Sequence, residues 1–157
     1  MASGRAKNQA DPAELLVLEA FLPYRLSILS NRVSRAIAKR YAEAFDLTIP
    51  EWRIIAVLGR RPGLTAKQVA EATEMDKVAV SRAVARLVAK RRVAASADED
   101  DARRQPLMLT AAGASLHAKI APIALDTERR LLSSLDAREQ ALLDTLIDRL
   151  SAAAKLI

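Results

Sequence analysis

Two groups of charged residues have the types and spacing to bind a polyanion. Arg82 and Arg86 are four residues apart and would share one face of a helix. In the stretch DEDDARRQP, residues 98–106, four acidic residues precede Arg103 and Arg104. A guanidinium group donates paired hydrogen bonds to phosphate oxygens or to the edge of a guanine. Both groups therefore predict binding to a polyanion. The order of acids before arginines in residues 98–104 needs an explanation of its own.

The composition disfavours most catalytic chemistry. The chain has no cysteine, which excludes disulfides, thiolate nucleophiles and cysteine-ligated metals. Its single histidine, His117, offers neither a multi-histidine metal site nor an acid–base set. We therefore predict no catalytic residues, no metal site and no cofactor, and we rank an enzyme third among the function classes.

The length and net charge fit a small basic domain. A chain of 157 residues with 51% hydrophobic content can bury a core of its own. Lysine and arginine outnumber the acids 25 to 19, which suits a polyanionic partner and also many ordinary basic proteins. No apolar run is long enough to span a bilayer, and the N-terminus MASGRAKNQAD lacks the apolar segment of a signal peptide. We expect a cytoplasmic protein with no membrane partner.

The first 46 residues predict a basic arm followed by helices. Residues 1–10 are small and polar, with two basic residues. The stretch Asp11-Pro12-Ala13-Glu14 has the signals of a helix start, and Pro23 is expected to interrupt that short helix. Apolar residues then recur at three- and four-residue steps to about Phe45, and basic residues occupy the opposite face. The apolar positions are Leu26, Leu29, Val33, Ile37 and Tyr41, and the basic ones are Arg25, Arg32, Arg35 and Lys39.

Three further helix starts follow in the middle of the chain. Thr48 and Thr65 each precede a Glu or Gln by three residues, which is the pattern of a capping box. Asp76 can cap the segment KVAVSRAVARLVAKRR. Its apolar stripe is predicted as Val80, Val84, Leu87 and Val88, and its other face as Val78, Arg82, Ala85, Arg86 and Ala89, with Lys77 and Ser81 at the leading turns.

Two short helices joined by about three residues are typical of a helix-turn-helix. Small residues on the free face of the second helix allow close approach to a major groove, where Arg82 and Arg86 reach guanine edges or phosphates. The alternative is an ordinary solvated basic face of an amphipathic helix.

A hairpin after the second helix gives the opening stretch a role. The runs at 93–97 and 106–110 are strand-like and flank a charged tip. An arginine at such a tip can enter the narrow minor groove, and Asp101 can hold Arg103 in direction by a charge-assisted hydrogen bond. The alternative is that these charges only keep an exposed turn soluble.

The C-terminal third predicts two more helices with long apolar faces. Thr110 can cap the first, in which Pro122 marks a kink or bend, and the stretch Asp136-Ala137-Arg138-Glu139 opens the second. Because the middle of the chain already uses about 60 residues for one lobe, we expect these faces to meet a second copy of the chain. Packing within one chain is the alternative.

From about Leu26 to Leu150 the order of elements resembles the multiple antibiotic resistance regulator (MarR) family of winged helix-turn-helix repressors. The matching residues are LTAKQVAEATEMDKVAVSRAVARLVAKRRV at 64–93, the Asp-x-Arg of Asp101 and Arg103, and LTAAG at 109–113. Many members carry a second basic residue between that Asp and Arg, whereas this chain has Ala102 there and Arg104 afterwards. The phosphate contacts at the tip are therefore expected to differ.

The resemblance implies a mainly α fold with a small β-hairpin wing and an entwined helical dimerisation region. It divides the chain into an arm (1–10), N-terminal dimerisation helices (11–46), a winged helix-turn-helix (47–110) and C-terminal dimerisation helices (111–157). It implies a homodimer that binds a palindromic double-stranded operator. The expected DNA-binding residues are Thr65, Lys67, Lys77, Val78, Ser81, Arg82, Arg86, Lys90, Asp101, Arg103 and Arg104.

The resemblance also implies release from DNA by a small effector. Family ligands sit between the dimer region and the DNA lobe, and an apolar cleft with arginines favours an aromatic acid or its coenzyme A thioester. The residues expected there are Arg25, Leu29, Arg32, Trp52, Arg53 and His117. The competing function is a helical protein-interaction or scaffold module with a basic face, against which the hairpin with Asp101 and Arg103 argues.

Overall fold

A computed structural model of the chain describes residues 16–96 and 105–157. The chain divides into two compact units, and the boundary falls between Val33 and Ser34 within the first helix. The elements of the described residues are α1 (Leu22–Phe45), α2 (Ile49–Arg60), α3 (Ala66–Thr73), α4 (Lys77–Ala89), β1 (Val93–Ala95), β2 (Leu107–Leu109), α5 (Ala111–Leu132) and α6 (Ala137–Ala154).

The predicted fold class, mainly α with a small β-hairpin, is confirmed. The two strands pair antiparallel, with Val93 opposite Leu109 and Ala95 opposite Leu107. They are shorter than the predicted runs of 93–97 and 106–110. Leu64 adds a single antiparallel bridge to Leu107, which the sequence did not predict.

The predicted helix before Pro23 is wrong over residues 16–21. These residues form a turn at 18–20, where the N–H of Phe21 donates to the carbonyl of Val17 at 3.0 Å. Pro23 has no N–H with which to continue that hydrogen-bond pattern. A new helix, α1, therefore begins at Leu22 with Pro23 in its first turn, where an N–H is not needed. The predicted start at Asp11 lies outside the described residues.

Side-chain caps fix where most helices begin. The predicted capping boxes at Thr48 and Thr65 are both formed, and Asp136 forms a third before α6. The hydroxyl of Thr110 accepts from the N–H of Gly113 and caps α5 at 3.1 Å. Each cap satisfies an N–H that a helix start leaves without a partner. Helix α5 continues through Pro122.

The core of the second unit lies beneath the helix-turn-helix. It joins side chains of α1, α2, α3, α4, both strands and α5 into one cluster. Its largest fully buried members include Tyr41, Ile54, Ile55, Leu58, Leu87 and Ile120. This packing gives the short helix α3 the partner it needs, since a helix of 8 residues is not stable alone.

Backbone groups approach closely where the hairpin meets α5. The N–H of Thr110 donates to the carbonyl of Arg92 at 3.1 Å, and the Thr110 hydroxyl donates to the carbonyl of Arg91 at 2.7 Å. A Cβ atom at Gly113 would clash with the Arg92 carbonyl oxygen. Glycine at 113 therefore permits a contact that no other residue allows.

Candidate nucleic-acid interface

The turn between α3 and α4 is fixed by residues at both of its ends. Glu74 ends α3 in the left-handed region, with φ 50°, and its N–H donates to the carbonyl of Ala70. The carboxylate of Asp76 then accepts from the N–H groups of Val78 and Ala79, at 2.9 and 3.0 Å. The turn therefore places α4 against α3 in the geometry of a helix-turn-helix.

The buried face of α4 determines which residues it presents outward. Val80, Ala83 and Leu87 are buried, at a spacing of three and four residues. The predicted stripe was wrong at Val88, which is 41% exposed, because a helix advances about 100° per residue and Leu87 already points to the core. Ala83, which the predicted stripe did not include, is buried instead.

The opposite face of α4 gathers five of the predicted DNA-binding residues. All five are exposed, and the small residues Ala85 and Ala89 lie among them. The five are Lys77, Val78, Ser81, Arg82 and Arg86.

A concave surface, which encloses a pocket with a volume of about 1120 Å³, lies between α3, α4 and the hairpin. Thr65, Lys67 and Ser81 line it on the helical side, and Gln105 and Leu107 on the side of the hairpin. Lys67 is well exposed, and its ion pair within the described part of the chain is a long one, to Glu71 at 3.9 Å. Predicted residues of both helices therefore border one surface. Asp101, Arg103 and Arg104 lie outside the described residues.

Lys90 occupies a different place from the other predicted residues. Its ammonium group donates to the Asp46 carbonyl at 2.7 Å and contacts carboxylate oxygens of Asp46 and Glu51 at 3.0 and 3.3 Å. Three acceptors use the three N–H donors of a lysine. We therefore assign Lys90 a structural role and leave it out of the proposed DNA contacts.

Glu51 was not singled out by the sequence analysis as more than a capping residue. It is fully buried, and burial raises the pKa of its carboxyl group. Hydrogen bonds from Thr48 and the charge and hydrogen bond of Lys90 outweigh that effect and hold the pKa below its ordinary value. The hydrogen bond from Lys90 likewise holds the pKa of the Asp46 carboxyl low. Both carboxylates are therefore ionised at neutral pH.

Three of the residues predicted to bind an effector lie in the second unit. The rings of Trp52 and His117 stack with centroids 5.9 Å apart, and Trp52 also packs on Tyr41 at 6.0 Å. Arg53 donates to the Ser34 hydroxyl at 3.2 Å. Burial raises the pKa of Tyr41 to about 12, so its hydroxyl group stays protonated. Trp52 and His117 are thus brought together as an aromatic pair.

The other three predicted effector residues lie in the first unit. Arg25, Leu29 and Arg32 are exposed on the first half of α1. Their pairing with Trp52, Arg53 and His117 stays a prediction.

An ion-pair cluster between α1 and α5 was missed by the sequence analysis. Asp126 accepts a hydrogen bond from Arg40 at 2.8 Å and forms ion pairs with Arg130 at 3.0 Å and Arg129 at 3.6 Å. The hydrogen bond from Arg40 holds the pKa of Asp126 below its ordinary value. The spacing of Asp126, Arg129 and Arg130 on one helix could have indicated the local part of this cluster.

Capped helices, a three-residue turn, a second helix with exposed arginines and a following hairpin define the winged helix-turn-helix class of DNA-binding proteins. A model of the MarR family matches residues 45–104, which include α2, α3, α4 and β1. Over its winged helix-turn-helix the chain is similar to the MarR family of transcriptional regulators, and the predicted resemblance is confirmed.

Related proteins are similar over most of the chain. The transcriptional repressor Rv2887 of Mycobacterium tuberculosis is 26% identical over 144 residues, which are 91% of this chain and 97% of that protein. A MarR/EmrR family regulator from Acinetobacter sp. ADP1 has the same fold, with a TM-score of 0.82 and 24% identity over 90% of this chain and 100% of its own. The PcaV regulator of Streptomyces coelicolor, solved with its natural ligand, gives a TM-score of 0.75 and 24% identity over 90% and 99%.

In the described part of the chain, we find no helix long and apolar enough to cross a membrane.

Proposed function

We propose that this regulator is a homodimeric repressor that reads an inverted-repeat operator through α4 and is released by an aromatic or anionic effector. The observation that carries the proposal is the outward face of α4. Its buried side is fixed by Val80, Ala83 and Leu87, so Arg82 and Arg86 must point away from the core. Alanines beside them leave room for close approach to base edges.

The repressor role is supported by relatives. Rv2887, which is similar over nearly its whole length, is named a transcriptional repressor. A bound regulator represses when its operator overlaps the sites that transcription needs. The position of the operator therefore decides the sign of regulation for this chain.

The homodimer is supported by exposed apolar side chains on α6. Among the residues that the structure describes, none of α6 is buried, although the helix carries a leucine and isoleucine face. Isolated exposed leucines are common, but four within nine residues of one helix are typical of an interface. These residues are Leu142, Leu146, Ile147 and Leu150, each more than 40% exposed.

The test of DNA recognition begins with duplexes selected from a random pool by the wild-type protein. Arg82→Ala and Arg86→Ala are then titrated against the selected operator by fluorescence anisotropy at fixed salt. Loss of a bidentate base contact should weaken binding by about 1–3 kcal/mol and relax the sequence preference. Loss of a phosphate contact should instead weaken binding to every duplex alike.

Arg129→Ala is the matched control, since it removes the same charge from an exposed position on α5. It should leave the sequence preference unchanged. Equal operator binding by the wild type and the Arg82/Arg86 double variant would remove the proposed role of α4.

The effector proposal rests on the aromatic pair of Trp52 and His117 with Arg53 one residue along α2. An aromatic carboxylate could stack on the rings and pair with a guanidinium group. The solved complex of PcaV with its natural ligand supports ligand binding by a protein of this fold.

A thermal-shift screen of aromatic acids and their coenzyme A thioesters tests the effector. A ligand at 100 times its Kd should stabilise the folded protein by about 2.7 kcal/mol and raise its Tm. Arg53→Gln should reduce that rise. A panel in which no compound raises the Tm of the wild type would reject this class of effector.

A further inference from the structure

Glu51 is a charged residue in the core whose capping function uses only half of its carboxylate. Its Oε2 atom accepts from the N–H of Thr48 at 2.7 Å and completes the capping box of α2. Its Oε1 atom accepts from the ammonium group of Lys90 at 3.3 Å. An apolar residue of similar size would avoid the cost of burying a charge. The capping box therefore does not explain the contact between Oε1 of Glu51 and Lys90.

Lys90 connects that carboxylate to the end of α1. It is the C-cap residue of α4, and its ammonium group also contacts the carbonyl and the carboxylate of Asp46. Arg92 lies beside it and donates to the carbonyls of Phe45 and Asp46, at 2.6 and 3.0 Å. We call Asp46, Glu51, Lys90 and Arg92 the α4 clamp. Two cations thus satisfy carbonyl groups that the end of α1 leaves without helical partners.

The clamp constrains α4 in a way that its apolar face does not. Val80, Ala83 and Leu87 set how deeply α4 sits on the core, but apolar contacts are not directional. Hydrogen-bonded ion pairs fix distance and direction, so the clamp fixes the position of α4 along its own axis. A base contact through paired donors tolerates a displacement of only about 0.5 Å. Arg86 precedes the clamp residue Lys90 by one helical turn.

Resting on the proposed function, in which α4 reads the operator, we infer that Glu51 and Lys90 are positioning residues that hold the recognition helix in register with the DNA bases. They act on sequence discrimination through Arg82 and Arg86 and touch no DNA themselves. The exposed Asp46 is the third member of the same device, because it holds Lys90 from the solvent side.

The test compares affinity for the selected operator with affinity for a non-specific duplex of the same length. Glu51→Gln keeps the volume and a capping acceptor while it removes the charge that holds Lys90. We expect the ratio of the two affinities to fall at least about fivefold, with non-specific affinity changed by less than about twofold. Lys90→Met should lower the ratio similarly, and the double variant should be no worse than either single variant.

Asp126→Asn is the matched control for charge. It removes one acidic charge from α5, where Asp126 pairs with Arg40 of α1 and not with α4. This variant should leave the ratio of operator affinity to non-specific affinity unchanged. Asp46→Asn replaces an exposed residue whose left-handed backbone asparagine also adopts, and it should lower the ratio in a protein that folds normally. If Glu51→Gln does not fold by circular dichroism, Asp46→Asn decides the matter alone.

Three outcomes would overturn the inference. A Glu51→Gln protein with the same ratio as Asp126→Asn shows that the clamp only stabilises the fold. An unchanged ratio for Asp46→Asn also shows that the clamp only stabilises the fold. A Lys90→Met protein that binds both duplexes more weakly to the same degree, with a salt slope reduced by about 1, shows that Lys90 contacts phosphate. Failure of the proposed function looks different, because the wild type itself would then show no operator preference.

Discussion

Asp101 places a negative charge two residues from Arg103, in a loop proposed to approach DNA. Both residues lie outside the described part of the chain, so their interaction stays a prediction. Arg103→Ala should weaken operator binding. Asp101→Ala should weaken it too, although loss of a negative charge alone should strengthen it, because Asp101 is expected to aim the arginine.

A double-mutant cycle in titrations at fixed salt measures this interaction. A coupling free energy of about 1 kcal/mol or more supports a held arginine, and additivity within about 0.5 kcal/mol rejects it. Asp98→Ala is the control, since an acid that only keeps the loop soluble should give slightly tighter binding when removed.

The contacts of Lys90 could not be predicted from the residues around it in the sequence. The run Lys90-Arg91-Arg92 after a predicted recognition helix has the composition of a phosphate-binding stretch. In the fold, Lys90 instead meets Asp46 and Glu51, which lie 44 and 39 residues away along the chain. No local pattern indicates such a pairing, whereas the outward direction of Arg82 and Arg86 followed from helical spacing alone.

At the scale of elements, the cap of α4 gives a direct prediction. Asp76→Ala removes the acceptor for the N–H groups of Val78 and Ala79. The free energy of unfolding should fall by about 1 kcal/mol, measured by urea denaturation. Operator affinity should fall as well, because Lys77 and Val78 lie in the turn that would fray.

Asp76→Asn distinguishes the cap from the charge. Asparagine caps helices about as well as aspartate, so this variant should keep nearly the wild-type stability. An equal loss in both variants would mean that the charge of Asp76, and not its hydrogen bonds, stabilises α4.

Helix starts were predictable because caps are local. Thr48, Thr65, Asp76, Thr110 and Asp136 each act within three residues of their own position. The bridge of Leu64 to Leu107 was not predictable, since one bridge leaves no alternating pattern to read. The turn at 18–20 was missed because the start signals at Asp11 predicted a short helix that continues up to Pro23.

At the scale of the whole molecule, the expected assembly is a two-fold dimer. Leu146→Asp places a charge within the exposed apolar face of α6. Because burial of an unpaired charge is costly, this variant should shift the protein towards monomer in sedimentation equilibrium and weaken binding to an inverted repeat.

Met108→Asp is the control, since Met108 is exposed on the hairpin and lies outside the proposed dimer face. It should remain a dimer. A wild-type protein that sediments as a stable monomer at micromolar concentration would contradict the assembly.

The sequence predicted the need for a partner from the length of its terminal apolar faces. It could not predict which residues pair across the interface, because the same helical stripe serves a core within one chain or a seam between two. The exposure of Leu142, Leu146 and Leu150 favours the proposed seam between two chains.

The absence of a Cβ atom at Gly113 has a mechanical consequence. The first turn of α5 rests directly on the Arg92 carbonyl, and two hydrogen bonds from Thr110 lie beside it. With no compressible side chain in between, this junction cannot work as a hinge. A displacement of the first turn of α5 therefore moves the base of the hairpin, at Arg92, together with it.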